Sequence, residues 1–251
     1  MTFSMAAASR SLGRLFPATS PATYAILTLS CLIYAVTLAL TIRSSGFGGL
    51  SGGLFNFGAI GGEVLQRVGA SLPWPVDLVQ PWRLVAAVFL HGSLLHIFFN
   101  MWVLMDIGPQ IEELYGSARY LFIYVVAGIG GYVVSSAFWH FSVGGSGALL
   151  GLIGVLLAMT VGRRTAGMQM LRGQLIRLLV YIGIWGLLFP GIDNWAHAGG
   201  LATGFILGKL MADRPPATPE EQKLAYALGW AAALVIVASF AMVALGILRH
   251  G

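Results

Sequence analysis

Apolar runs of about 20 residues, the length a helix needs to cross a hydrocarbon layer, recur along the chain between charged or Gly/Pro-rich breaks. Seven are present, at 24–42, 84–105, 120–139, 146–161, 175–189, 195–211 and 226–248. They predict an all-α polytopic membrane protein with seven spans and no separate soluble domain. The fourth and fifth runs are short, and Arg177 falls in the first turn of the fifth, where its long side chain can snorkel back to the headgroups. The first run follows Arg10 and Arg14 but exceeds a signal-peptide core of about 7–15 residues, and no small-residue cleavage pattern precedes Arg43. It is read as a retained helix.

Composition narrows the class. Apolar residues make up 57% of the 251 and charged residues 9%, against roughly 25% charged in soluble domains, which excludes a soluble enzyme. Mean hydropathy is +0.83 and there are 34 glycines, a residue that membrane helices tolerate better than soluble ones. A net charge of +5 does not point to nucleic acid, because the 14 Lys and Arg form no basic stripe interleaved with aromatics. Cys31 stands alone, which excludes a disulfide within the chain and a cysteine-based metal site.

The Lys/Arg asymmetry gives an orientation. An inside amino terminus places Arg10, Arg14, Arg119, Arg163, Arg164, Arg172, Arg177, Lys209, Arg214 and Lys223 inside, and only Arg43, Arg67, Arg83 and Arg249 outside. The acidic stretch after the second run, with Asp106, Glu112 and Glu113, argues weakly the other way. Residues 1–23 are then a cytoplasmic segment, 44–83 a Gly-rich external loop lying partly in the interface, 213–225 a cytoplasmic linker, and 226–251 a last helix and C-terminus. Trp74, Trp82, Tyr120 and Trp195 read as interface anchors.

Polar groups inside spans are expensive and therefore functional suspects. The second span carries His91, His96 and Asn100, the fourth opens at Ser146, and the sixth carries His197 near its start. All three spans run from outside to inside, so these groups fall in the outer half. Gly147, Gly151, Gly154 and Ala158 form one small-residue stripe along the fourth span, and His197, Gly200, Gly204 and Gly208 share one face of the sixth. If those stripes meet, hydroxyl and imidazole come within reach.

Serine becomes a strong nucleophile when an adjacent base takes its proton, and histidine is the usual base near neutral pH. Ser146 and His197 would form such a dyad. His96 and Asn100, four apart on one helical face, can aim two donors at a developing oxyanion beside the Ser146 backbone N–H, and Gly144 and Gly145 let backbone approach a carbonyl. Taken singly, Gly-x-Ser-Gly is a common turn and cap, and a lone span histidine often bonds a carbonyl. Asp193, four residues before His197, could complete a triad but is placed better as the cap of the sixth span. A metal or haem reading of His91, His96 and His197 fits poorly: residues five apart diverge by roughly 140° on a helix, and no carboxylate or Cys joins them. No cofactor and no metal is expected.

Three segments resemble the motifs of the rhomboid intramembrane serine proteases over about residues 74–212. His91-Gly-Ser-Leu-Leu-His96-Ile-Phe-Phe-Asn100 is similar to a His-x4-His-x3-Asn element. Gly144-Gly145-Ser146-Gly147, with Gly151, is similar to Gly-x-Ser-Gly-x-x-x-Gly, and Ala196-His197-Ala198-Gly199-Gly200 with Gly204 to the histidine-glycine element. The resemblance implies a six-helix core at 24–212 plus one C-terminal transmembrane helix. It implies Ser146 as nucleophile, His197 as general base, and His96, Asn100 and the Ser146 amide as the oxyanion hole, with His91, Gly144, Gly147, Gly200 and Gly204 in supporting roles. Trp82-Arg83 resembles a Trp-Arg pair of the first external loop, and Glu112 with Gly116-Ser117 a structural turn. Leu150 departs from the pattern where members often carry an aromatic ring, and Gly145 where they usually carry alanine.

The expected activity is cleavage of transmembrane protein substrates near the outer face, through an acyl-enzyme, in a bacterial inner membrane. The Arg-, Ser- and Ala-containing amino terminus also suits an organellar presequence. The alternative is a catalytically silent rhomboid-like protein that binds or escorts membrane clients. Substrate identity and oligomeric state are not encoded in the sequence.

Overall fold

The computed structural model of the protein describes residues 20–46, 57–138, 140–189 and 191–250. Seven longer helices carry the fold: α1 Pro21–Ser45, α5 Leu94–Tyr115, α6 Ser117–Ala137, α7 Ser146–Thr160, α8 Ala166–Leu188, α9 Asn194–Leu210 and α10 Pro219–His250. Between α1 and α5 the described residues hold three short ones, α2 Gly62–Arg67, α3 Val76–Val79 and α4 Arg83–Ala86, the last continuing into a 3₁₀ turn at Ala87–Phe89. Helices α1, α5, α6, α8 and α10 are long and apolar enough to cross a membrane; α7 and α9, with 15 and 17 residues, are shorter. The fold is all-α and polytopic, and the protein is an integral membrane protein.

The two glycine stripes do meet. A Cβ on Gly200 would overlap the Gly147 carbonyl, and one on Gly204 the Gly151 carbonyl, so α7 and α9 touch backbone to backbone. Helix α6 closes the third side: Gly131 leaves 2.7 Å between its Cβ position and the Ala196 carbonyl oxygen, and Gly199 the same to that of Gly130. Van der Waals packing holds membrane helices together because lipid is as apolar as leucine, so interfaces select small residues. Around this trio, α8 is the least embedded, with only Leu175 and Gly186 buried along its 23 residues.

Several boundaries differ from the hydropathy reading. The second span was expected at 84–105 but runs from Leu94 to Tyr115, and His91 lies ahead of it, outside the helix. Residues 85–90 are apolar because protein covers them, with Ala86, Ala87, Val88, Phe89 and Leu90 all fully buried, and not because they face lipid. At the other end, Asp106, Glu112 and Glu113 lie within α5, so only Gly116 separates it from α6. Helices α8 and α10 begin nine and seven residues before the expected 175 and 226, since a helix continues past charges where it leaves the bilayer. Tyr120, expected at the interface, is fully buried. Within the expected external loop 44–83, residues 47–56 lie outside the described residues; the remainder holds α2, α3 and the start of α4.

Two polar anchors fix the ends of the bundle. Arg83 donates to the carbonyls of Gln66 and Ala70 and to Gln80 Oε1, tying the loop to α4. Asp77, buried in the same loop, accepts from Ser71 Oγ at 2.7 Å and Leu72 N at 2.9 Å; burial raises its carboxyl above the usual range, while those bonds and Arg83 oppose the rise. At the far end of α5, Glu112 is 1% exposed and accepts from Ala22 N, Thr23 N and Thr23 Oγ at 2.7–2.9 Å. These are orphan donors of the first turn of α1, where a carboxylate also meets the positive end of the helix dipole. Glu112→Ala, which strands them, is expected to destabilise the protein by about 2–4 kcal/mol, read as a lower midpoint of thermal unfolding in detergent, with Glu112→Gln intermediate.

Candidate active site

The segment before α7 is pinned from three sides. Ser142 exchanges two backbone hydrogen bonds with Ser71, Gly144 N donates to the Ala87 carbonyl at 2.9 Å, and the buried Tyr132 hydroxyl donates to the Gly144 carbonyl at 2.7 Å. Gly144 has φ of +130°, and a Cβ there would lie 2.6 Å from His96 Nε2, so a side chain is refused on both counts. The chain then turns into α7 with Ser146 as its first residue. As such, the Ser146 amide N–H has no carbonyl within its own helix to donate to.

Across the α7/α9 contact, Ser146 Oγ lies 2.8 Å from His197 Nε2. Small residues make this distance: Gly147 sits 3.1 Å, from its Cβ position, to the Ala196 carbonyl oxygen, one residue before the histidine. The register of α9 is fixed at its start by Asp193, whose Oδ1 accepts from Ala196 N at 2.9 Å while Oδ2 accepts from Ser135 Oγ. Asp193 is thus a helix cap, as the sequence suggested, and neither of its oxygens hydrogen-bonds the imidazole. Buried His197 Nδ1 has no hydrogen-bond partner among the described residues. Protonated on Nδ1, the ring would leave Nε2 free to accept from the serine hydroxyl.

His96 and Asn100 lie one turn apart at the start of α5. Ser93 caps that helix, accepting from His96 N at 3.3 Å, and Gly92 N donates to His96 Nδ1 at 3.4 Å. With Nδ1 accepting, Nε2 carries the ring proton and is the donor turned towards Gly144. Asn100 Nδ2 donates to the His96 carbonyl at 2.8 Å, and one N–H of that amide remains. Gly145, between these groups, has its Cβ space taken by the Tyr124 hydroxyl at 2.7 Å, which accounts for glycine at that position. His91 is 1% exposed and packs edge-on against the His96 ring with centroids 5.2 Å apart, so it supports His96 by contact and does not reach Ser146 through a hydrogen bond.

An apolar cavity of about 370 Å³ opens beside His197 between α7, α8 and α9, lined by Leu150, Leu179, Ile182 and Leu187 among others. Leu150, at the position where the resemblance leads to an aromatic ring being expected, is part of this lining. Sequence reasoning therefore located Ser146, His197, His96, Asn100, Gly144 and the helix glycines at one place, and misassigned His91 to a helix. It missed Tyr124 and Tyr132. Their signal was a tyrosine in the middle of an apolar span, away from the interface where that residue usually sits.

Comparison with known proteins gives the family. The Rhomboid domain family matches residues 79–214. RHOMBOID-like protein 6, mitochondrial, of Arabidopsis thaliana is 36% identical over 168 residues, covering 63% of this chain and 53% of that protein. RHOMBOID-like protein 2 of the same plant is 40% identical over 160 residues, covering 61% and 50%. Rhomboid protease GluP of Bacillus subtilis is 34% identical over 152 residues, covering 60% and 30%. The chain spans about half the length of these plant relatives and less of GluP. The Rhomboid match takes in more than half of the chain and contains His96, Asn100, Ser146 and His197, and the chain belongs to the rhomboid family.

Proposed function

We propose that this protein is an intramembrane serine endopeptidase. The observation that carries the reading is the 2.8 Å contact between Ser146 Oγ and His197 Nε2, made by residues 51 apart in sequence across a glycine-lined helix pair. Attack by Ser146 on a peptide carbonyl passes its proton to His197 Nε2. The carbonyl oxygen becomes an oxyanion, held by the Ser146 amide, His96 Nε2–H and Asn100 Nδ2–H. Collapse expels the amine, which takes the proton from His197, and leaves an ester on Ser146. Water, deprotonated by the same histidine, then releases the acid and regenerates the serine. None of these steps requires a metal or a cofactor.

The substrates proposed are transmembrane segments of other proteins. A carbonyl inside a helix is shielded by its own hydrogen bond, so a cleavable segment must unwind locally, and small or helix-breaking residues near the cut favour that. The apolar cavity beside His197 suits one apolar side chain of the extended segment. From the Lys/Arg distribution, the site faces the outer side of a bacterial inner membrane, with the amino terminus in the cytoplasm.

Fluorophosphonate labelling read by intact mass tests the assignment. One adduct is expected on the wild type and none on Ser146→Ala. A well-folded wild type that takes no adduct in lipid or detergent would defeat the protease reading and favour a silent family member that binds membrane clients.

A further inference from the structure

Three oxygens face one point beneath the turn that precedes Ser146. Measured from the Cβ position of Gly145, they are the Tyr124 hydroxyl at 2.7 Å, the Val88 carbonyl at 3.4 Å and Asn100 Oδ1 at 3.6 Å. Two are acceptors only, and the hydroxyl of Tyr124 is the sole hydrogen donor of the three. Tyr124 comes from α6, Asn100 from α5 and Gly145 from the approach to α7, so three otherwise separate elements converge here. Tyr124 OH and Asn100 Oδ1 are both buried, and neither has a hydrogen-bond partner among the described residues, each other included. The Tyr124 ring is fully buried and leans on Phe89, with centroids 6.2 Å apart, which confines the hydroxyl to this position.

We propose that Tyr124 is a positioning residue for the oxyanion hole: its hydroxyl supports Asn100 Oδ1 through one bridging water, and so holds the Asn100 amide with Nδ2 turned towards the reacting carbonyl. This inference rests on the protease reading above. An asparagine amide has two ends of nearly equal shape and opposite hydrogen-bonding character, and which end faces the substrate decides whether it stabilises or repels an oxyanion. The His96 carbonyl engages Nδ2 from one side. Oδ1 needs a donor on the other, because a buried acceptor left alone is costly and the amide would turn to relieve it. Of the three oxygens, the Tyr124 hydroxyl is the one that can supply it, by way of the bridging water. It touches neither substrate nor nucleophile and acts only through Asn100. The same hydroxyl occupies the space that a methyl group at 145 would take, so alanine there would displace it.

The test is a double-mutant cycle on the full chain in lipid, using a fluorescently tagged single-span test protein as substrate. Tyr124→Phe removes one oxygen. It is expected to lower kcat by about 10-fold, a fraction of the roughly 10²–10³-fold that a whole oxyanion donor supplies, with KM within about twofold. In an Asn100→Ala background the same change is expected to have less than about a twofold effect, since no amide remains to be held. An equal loss in both backgrounds, or none in the first, overturns the proposal, because a purely structural role would not distinguish them.

A second readout is independent of turnover. The side-chain ¹⁵N resonance of Asn100, assigned by its loss in Asn100→Ala, is expected to shift or split in Tyr124→Phe, and an unmoved resonance overturns the contact. A wild type without turnover whose Asn100 resonance still responds to Tyr124→Phe refutes the protease reading and leaves the positioning contact standing. Tyr124→Phe is also expected to restore melting lost in Gly145→Ala, and failure of that rescue counts against the hydroxyl as the colliding group.

Discussion

His197→Ala is expected to slow turnover of a single-span test substrate by about 10³–10⁴-fold while the protein stays folded, a loss of the size seen when the base of a serine nucleophile is removed. The reasoning is local. Among the described residues, Nε2 is the one base within hydrogen-bond distance of Ser146 Oγ, at 2.8 Å, and without it the hydroxyl attacks as a neutral alcohol. The residual rate would come from the oxyanion donors and from substrate placement. Asp193→Asn is the informative partner, because a Ser-His-Asp triad would make it nearly as damaging. Here both carboxylate oxygens are committed, one to Ala196 N and one to Ser135 Oγ, and asparagine is an equally good cap. A loss of less than about tenfold is therefore expected for Asp193→Asn, as a cap substitution, and a loss matching that of His197→Ala would reinstate the triad.

Gly204→Ala is expected to be the most damaging single-methyl change in the molecule. The added carbon would overlap the Gly151 carbonyl, and because the obstacle is backbone, no side-chain rotation relieves it. The helices must separate, and separation also breaks the Gly200–Gly147 contact that sets the Ser146–His197 distance. Overpacking of this kind costs about 1–3 kcal/mol or more, and the accompanying misplacement by ~1 Å is enough to lower activity by roughly 10²-fold. Thermal unfolding in detergent and turnover should fall together. Gly246→Ala, where nothing lies within 4 Å and the helix is otherwise regular, is the neutral control; equal damage at both positions would show that helix contact is not the cause.

The α7 and α9 stripes were readable from sequence as close-packing faces because small-residue periodicity reports on how closely a helix can be approached; that the two faces pair with each other is seen only in the fold. The start of α5 was not, because hydropathy registers that Val85–Leu90 are apolar without saying whether lipid or protein surrounds them; burial in the core moved the helix start to Leu94. Its end was hidden for the opposite reason. Asp106, Glu112 and Glu113 look like a polar loop, yet Glu112 is buried and bonded to residues 90 positions away, a pairing that no local pattern contains. Tyr124 escaped notice because tyrosine in an apolar run passes as an aromatic hydrocarbon. Its hydroxyl acquires a role only when α5 and the turn at Gly145 are folded against it.

The brevity of α7 has a consequence for what would leave the membrane. Fifteen residues at about 1.5 Å each span ~22 Å, against ~30 Å of hydrocarbon. With the far end of the helix at the opposite boundary, Ser146 is recessed by about 8 Å, equivalent to roughly five residues of a substrate helix. On the proposed activity, a cut at that depth would divide a span of about 20 residues very unequally. One fragment keeps about fifteen apolar residues and stays embedded. The other keeps about five, too little apolar surface to anchor it, and departs into water. Ligation would require that fragment to return to the same depth, so its dilution makes the cut irreversible in practice. The length of one short helix would then fix both which half of a client is released and the direction in which the chemistry runs.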